Sequence, residues 1–292
     1  MTFSGLFVPL VTPFTSAGDV AYDAVAKLAN EVLDEGATGV VALGTTGEPA
    51  TLSAAERRGV VEVCIEVCLD RGAPLIVGTG TNSTTDSERA LAALDPRIAG
   101  ALTVVPYYTK PSRRGVIEHF RRLGAVSPVP LLIYNIPHRT GCVLDVETLC
   151  RLAELPNIAG FKHAVGAVDE TTIAWLAAAG AHTDVLCGDD LYASPLLALG
   201  ARGAIATCAN AAPAAYAELV AAWRDGRVDA ARELGNRLAG LAQAVFAEPN
   251  PVVVKAVLAA QGRIPNAAVR LPLLAAAPET TAAALAALHR LG

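Results

Sequence analysis

The segment LPNIAGFKHAV, Leu155 to Val165, carries a lysine at the end of a short apolar run. Pro156-Asn157 punctuates its start, Ile158 to Phe161 supplies the run, and polar His163 follows Lys162, so the pattern predicts a buried strand that closes on the lysine. The chain has only four lysines, Lys27, Lys110, Lys162 and Lys255, among 23 basic residues. A lysine in an apolar strand asks for a reason that arginine could not meet, and amine nucleophilicity is one. Burial disfavours an ammonium ion and can depress a lysine pKa by ~3 units, leaving a neutral amine able to attack a carbonyl and form a Schiff base. The alternative is a lysine that snorkels from the strand end or pairs with a carboxylate such as Asp189 or Asp190.

Seven further β-branched runs surround that strand, each ending in Gly, Thr, Pro, Tyr or Asp and each followed by a helical stretch. They are GLFVPLVTP from Gly5, TGVVALGTT from Thr38, PLIVGTG from Pro74, GALTVVPYY from Gly100, PLLIYNIP from Pro130, TDVLCGDD from Thr183 and GAIATCAN from Gly203. Helix starts are signalled at Ser53, with Glu56 completing a capping box, within Thr15 to Asp23, at Ser112 and at Asp169. Eight near-continuous apolar strands alternating with helices predict an α/β fold of the (β/α)8 TIM-barrel type. A doubly wound open sheet would need a phosphate turn, and Gly78-Thr-Gly80-Thr-Asn-Ser83 lacks the third glycine. Beyond Trp223-Arg-Asp-Gly226 the strands stop, and helical stretches follow near 227–247, 251–262 and 279–290. The expected organisation is a catalytic barrel over 1–226 with a C-terminal three-helix appendage over 227–292.

The 292 residues are 53% hydrophobic and 17% charged, with formal net charge −5. No basic patch with interleaved aromatics appears, which argues against nucleic acid, and no apolar run has membrane length. MTFSGLFVPLVTPF lacks the features of a secretory leader, so a cytoplasmic location is expected. Six cysteines, Cys64, Cys68, Cys142, Cys150, Cys187 and Cys208, lie scattered in apolar segments and read as reduced core residues. The five histidines show no metal-binding spacing, no G-x-S-x-G element is present, and neither a metal nor a serine nucleophile is expected.

In such a barrel chemistry sits at the carboxyl ends of the strands. Gly44-Thr45-Thr46-Gly47-Glu48 offers two hydroxyls and several backbone N–H groups on a glycine-flexed turn, either a cradle for a small carboxylate or a threonine-capped turn. Tyr134 follows an apolar run and can shuttle protons or simply satisfy a buried hydrogen bond. Arg139, in YNIPHRTG, offers a fork for a second carboxylate or else solvates the surface. Adjacent Tyr107 and Tyr108, if on a strand, point to opposite faces, one toward the site and one toward packing or a subunit contact. Lys255, in PVVVKAVLAA of the appendage, reads as structural and away from the strand ends. Together Lys162, Tyr134, the threonines and Arg139 describe a Schiff-base lyase that condenses with a 2-oxo acid, loses a methyl proton and presents an enamine to an aldehyde, with no cofactor.

GTTGEPATL, TVVPYYTKPS, YNIPHRTG, GFKHA, CGDD and FAEPNPVVVK, in this order, resemble the dihydrodipicolinate synthase and N-acetylneuraminate lyase superfamily of class I aldolases, over nearly the whole chain. The resemblance is nearest to the synthase branch, which condenses pyruvate with aspartate semialdehyde in lysine biosynthesis. It implies that Lys162 forms the pyruvate Schiff base, that Thr45 and Thr46 cradle the pyruvate carboxylate, and that Tyr134, Thr45 and Tyr108 relay protons. It further implies that Arg139 binds the semialdehyde carboxylate while Gly188 and Ile205 line the pocket. The residue matching Tyr108 crosses between subunits in the family, which implies a homotetramer, a dimer of dimers. Arg139 favours the synthase over lyases that take hydroxylated sugar acids. His163 departs from the acidic residue often found there in bacterial synthases. An aldolase for 2-oxo-3-deoxy sugar acids and a non-catalytic oxo-acid-binding barrel are the alternatives.

Overall fold

The structure is a computed structural model describing residues 2–179 and 183–291. In chain order its elements are β1 (Gly5–Pro9), α1 (Tyr22–Asp34), β2 (Gly39–Ala42), α2 (Ala54–Arg71), β3 (Leu75–Gly78), α3 (Thr84–Ala92) and β4 (Gly100–Val104). There follow α4 (Arg113–Val126), β5 (Leu131–Asn135), α5 (Pro137–Thr140), α6 (Val146–Ala153), β6 (Ile158–His163), α7 (Glu170–Ala179), β7 (Asp184–Cys187), α8 (Ala193–Ala198) and β8 (Gly203–Ile205). Helices α9 (Pro213–Arg224), α10 (Val228–Val245), α11 (Val252–Ala260) and α12 (Pro278–His289) complete the chain. The strands close into a barrel in sequence order β1 to β8, the (β/α)8 TIM-barrel fold with C-terminal helices. Each expected strand lies inside its β-branched run, because strands covered on both faces are apolar throughout rather than alternating.

Residue contacts divide the chain into two compact units. One comprises the residues up to Ser4 with Ile76–Ala204, the other Gly5–Leu75 with the residues from Ile205 onward. In the first, β4 to β7 pair in parallel, and Phe161 of β6 meets Trp175 of α7 edge-on at 4.9 Å. Burying each of those rings is worth about 1.5–3 kcal/mol relative to exposure. The start of β6 is set by Asn157, whose side-chain amide donates to the carbonyls of Gly124, Ser127 and Val129 at 3.1–3.2 Å. In the second unit β1 and β2 pair in parallel and Val25, Leu28 and Val32 of α1 are buried.

Local signals account for the starts of α2, α4 and α7. Ser53 and Glu56 form the capping box of α2, Ser112 caps α4, and the Asp169 carboxylate accepts from the Thr172 N–H at 2.7 Å at the start of α7. Near the first helix the outcome differs. Thr15 spends its hydroxyl on the N–H groups of Ala17 and Asp19 in a turn, and α1 begins only at Tyr22 with no side-chain cap.

Candidate active site

The lysine that closes β6 is set by register. Lys162 lies opposite Tyr134 of β5, and His163 lies opposite Asn135. Registered neighbours on parallel strands project to the same side, so the amine and the phenol share a face. The Lys162 Nζ stands 4.4 Å from the centroid of the Tyr134 ring. Lys162 is only 5% exposed, and among the described residues its ammonium forms no ion pair. Burial raises the Asp189 carboxyl above its ordinary value, while His138 and Lys162 pull it back.

Gly188, directly after β7, makes room for that lysine. A β-carbon there would stand 2.6 Å from Lys162 Cγ and 2.8 Å from Cε, closer than carbon atoms approach, so the lysine stem runs where only glycine leaves space. His163 is buried and pushed down to about 4 by desolvation, which Asp169 only partly opposes. It is therefore neutral near pH 7, its ring nitrogens 3.4 Å from Asn135 Nδ2 and 3.2 Å from Thr172 Oγ1.

Arg139 sits on α5, a single turn opened by Pro137 and closed by left-handed Gly141. It is exposed, and its guanidinium makes no hydrogen bond or ion pair among the described residues. Tyr107 and Tyr108 depart from expectation. They lie on the loop after β4 rather than on a strand, because positive φ angles at Tyr108 (69°) and Lys110 (46°) turn the backbone out of the extended region. Tyr108 is 87% exposed.

The second unit carries the threonine turn. Thr45–Gly47 forms one 3-10 turn after β2, flanked by Leu43 and Glu48 at φ near +50°. Thr46 is buried, and its hydroxyl lies 3.1 Å from Thr207 Oγ1 and accepts from Asn250 Nδ2 at 2.9 Å. Thr12 Oγ1 donates to the Gly47 carbonyl at 2.7 Å. The N–H groups of Thr45 and Thr46 make no hydrogen bond among the described residues, so two donors remain for an anion. Ile205, the last residue of β8, is fully buried.

Sequence reasoning missed the supports of this turn. Lys255, expected away from the strand ends, is wholly buried on α11 and bonds Glu48 Oε1 at 2.8 Å and the Thr12 carbonyl at 2.9 Å. Its Nζ also lies 4.1 Å from the Phe14 ring centroid. Burial pushes its pKa down and Glu48 holds it up. The available signal was an ammonium in the apolar run VVVKAVLAA, which demands a buried partner. Thr207 lies just past β8, in the run GAIATCAN, where the strand-end rule points, whereas Asn250 carried no local signal of that kind.

A family model described as the dihydrodipicolinate synthetase family matches residues 2–291. This chain belongs to that family. A curated relative from Methanothrix thermoacetophila, named 4-hydroxy-tetrahydrodipicolinate synthase, is 39% identical over 281 residues, covering 96% of this chain and 94% of its own. One of the same name from Pseudomonas aeruginosa is 40% identical over 271 residues, 92% of each. The solved dihydrodipicolinate synthase from Acinetobacter baumannii, complexed with pyruvate, superposes with TM-score 0.94 at 37% identity over 100% of this chain and 99% of its own. This chain is a closed parallel barrel with a lysine on its sixth strand.

Proposed function

We propose that this family member condenses pyruvate with aspartate 4-semialdehyde to 4-hydroxy-tetrahydrodipicolinate, a class I aldolase-type lyase reaction of lysine biosynthesis, with Lys162 as its nucleophile. The observation that carries this reading is a buried lysine that forms no ion pair among the described residues, in register with a tyrosine on the neighbouring strand. The Lys162 amine attacks C2 of pyruvate, and loss of water leaves an iminium. The iminium withdraws electrons, a methyl proton leaves, and the resulting enamine carbon attacks the aldehyde, whose oxygen takes up a proton. The amino group of the condensed chain then displaces Lys162 from C2, which closes the ring and frees the enzyme.

Tyr134, with Thr45 and Tyr108, moves the protons. Thr45 and Thr46 hold the pyruvate carboxylate through hydroxyl and N–H donors, and the guanidinium of Arg139 takes the carboxylate of the semialdehyde. Gly188 and Ile205 line the pocket. Gly188 also sets the path of the nucleophile by leaving the lysine stem unobstructed. In this assignment the chemistry belongs to residues 1–226, and the helices of 227–292 support it.

Tyr108 is exposed in the single chain, and we assign it to the site of a neighbouring copy in a homotetramer built as a dimer of dimers. No helix of the described residues is long and apolar enough to cross a membrane, and we place the enzyme in the cytoplasm. The test is a comparison of substrates. Turnover of pyruvate with aspartate semialdehyde is expected, and cleavage of 2-oxo-3-deoxy sugar acids with no condensation would contradict the assignment.

A further inference from the structure

The turn that holds Thr45 and Thr46 is gripped from one side by a feature the reaction does not consume. Glu48 follows Gly47 directly and occupies the left-handed region, φ 52° and ψ 40°, which glycine or asparagine ordinarily fills. Its carboxylate is buried and both oxygens are engaged. Oε1 accepts from Lys255 Nζ at 2.8 Å and Oε2 accepts from the backbone N–H of Arg270 at 3.0 Å.

Lys255 is equally committed. It is 0% exposed, and its ammonium points to the Glu48 carboxylate, the Thr12 carbonyl and the face of Phe14. The guanidinium of Arg270 covers the Phe14 ring as well, 4.5 Å from its centroid, and pairs with Glu56. Thr12 returns to the turn through its hydroxyl, which bonds the Gly47 carbonyl. The ammonium of Lys255 thus reaches the two residues after Thr46 by two routes, one through Glu48 and one through Thr12.

We propose that Glu48 and Lys255 are positioning residues for the pyruvate-carboxylate cradle, their buried ion pair holding the Thr45-Thr46 turn in the geometry that binds the substrate. The proposal rests on the function assigned above. A buried ion pair contributes little stability that packed apolar side chains could not supply, so its use here is accounted for by geometry. A salt bridge to a strained residue fixes the turn in one conformation, whereas a hydrocarbon contact would leave it free to shift. Neither residue touches the reacting carbon in this scheme. Their loss therefore weakens pyruvate binding and leaves the chemistry of Lys162 in place once pyruvate saturates.

The experiment compares Glu48→Gln with the double variant Glu48→Leu, Lys255→Met, which removes both charges and strands neither. Pyruvate KM, kcat, thermal midpoint and borohydride trapping of pyruvate are measured on each. The expected result for the double variant is a thermal midpoint near the parent's, kcat within about threefold and a pyruvate KM raised about tenfold or more; Glu48→Gln, which leaves the Lys255 ammonium without its carboxylate, should lower the midpoint and raise KM less. Trapping on Lys162 should persist at saturating pyruvate. Parental KM in a folded double variant would overturn the proposal, because the pair would then be purely structural. A fall in kcat with unchanged KM would overturn it too. If the double variant does not fold, Glu48→Gln decides by the same split. Absence of a trapped adduct in the unsubstituted enzyme would instead sink the assignment of Lys162, and the two failures are distinct.

Discussion

Two lysines are buried in this protein, and they are treated in opposite ways. Lys255 has a carboxylate at 2.8 Å, a carbonyl at 2.9 Å and an aromatic face, and it is fixed as an ion. Lys162 has an aromatic face at 4.4 Å and no ion-pair partner among the described residues. A protein that wants a structural ammonium surrounds it with acceptors, because an uncompensated buried charge is costly. A lysine that must react is left with its nitrogen unclaimed. The contrast separates scaffold from nucleophile using geometry alone.

Exchanging each lysine for the apolar residue nearest in shape breaks that comparison most sharply. Lys162→Met should lower turnover by about a thousandfold or more, with a thermal midpoint equal to the parent's or above it, since no ion pair is lost. Lys255→Met should do the reverse in kind. It strands the Glu48 carboxylate and should cost about 3–5 kcal/mol of stability, read from denaturant unfolding. A Lys162→Met protein that unfolds, or a Lys255→Met protein as stable as the parent, would erase the distinction.

Gly188→Ala sharpens the comparison on the lysine side. Its methyl group would meet the Lys162 stem, so kcat/KM should fall about 30-fold while secondary structure is retained. Arg139→Ala should raise the KM for aspartate semialdehyde about tenfold and leave pyruvate trapping unchanged, and equal loss of both would remove Arg139 from its role.

The smallest effect concerns His163. Held at about 4 when folded and near 6.5 when unfolded, it takes up a proton on unfolding between those values. The unfolded state binds the extra proton, so stability is complete above pH ~6.5 and declines as the pH drops toward ~4. His163→Gln should flatten that decline by about 1 kcal/mol near pH 5.5, read from thermal midpoints against pH.

Much of the barrel was legible because its determinants are local. A parallel strand covered on both faces is written as one apolar run, and Ser53, Ser112 and Asp169 mark helix starts through bonds three residues long. The caps of α3 by Ser83 and of α6 by Asp145 are equally local and follow the same rule. Lys162 with Tyr134 was legible as a pair of strand ends, since register follows once strands are adjacent. What sequence could not convey is contact at distance. Glu48 and Lys255 are 207 positions apart, and no periodicity joins them. Tyr107 and Tyr108 read as strand from sequence because aromatic residues favour extended backbone, and nothing in a tyrosine announces a positive φ.

Borohydride reduction in the presence of pyruvate, followed by peptide mapping, shows which lysine reacts. One reduced pyruvate adduct is expected, on Lys162, with Lys255 unmodified. An adduct on another lysine, or none at saturating pyruvate, would contradict the assignment of Lys162 as the nucleophile.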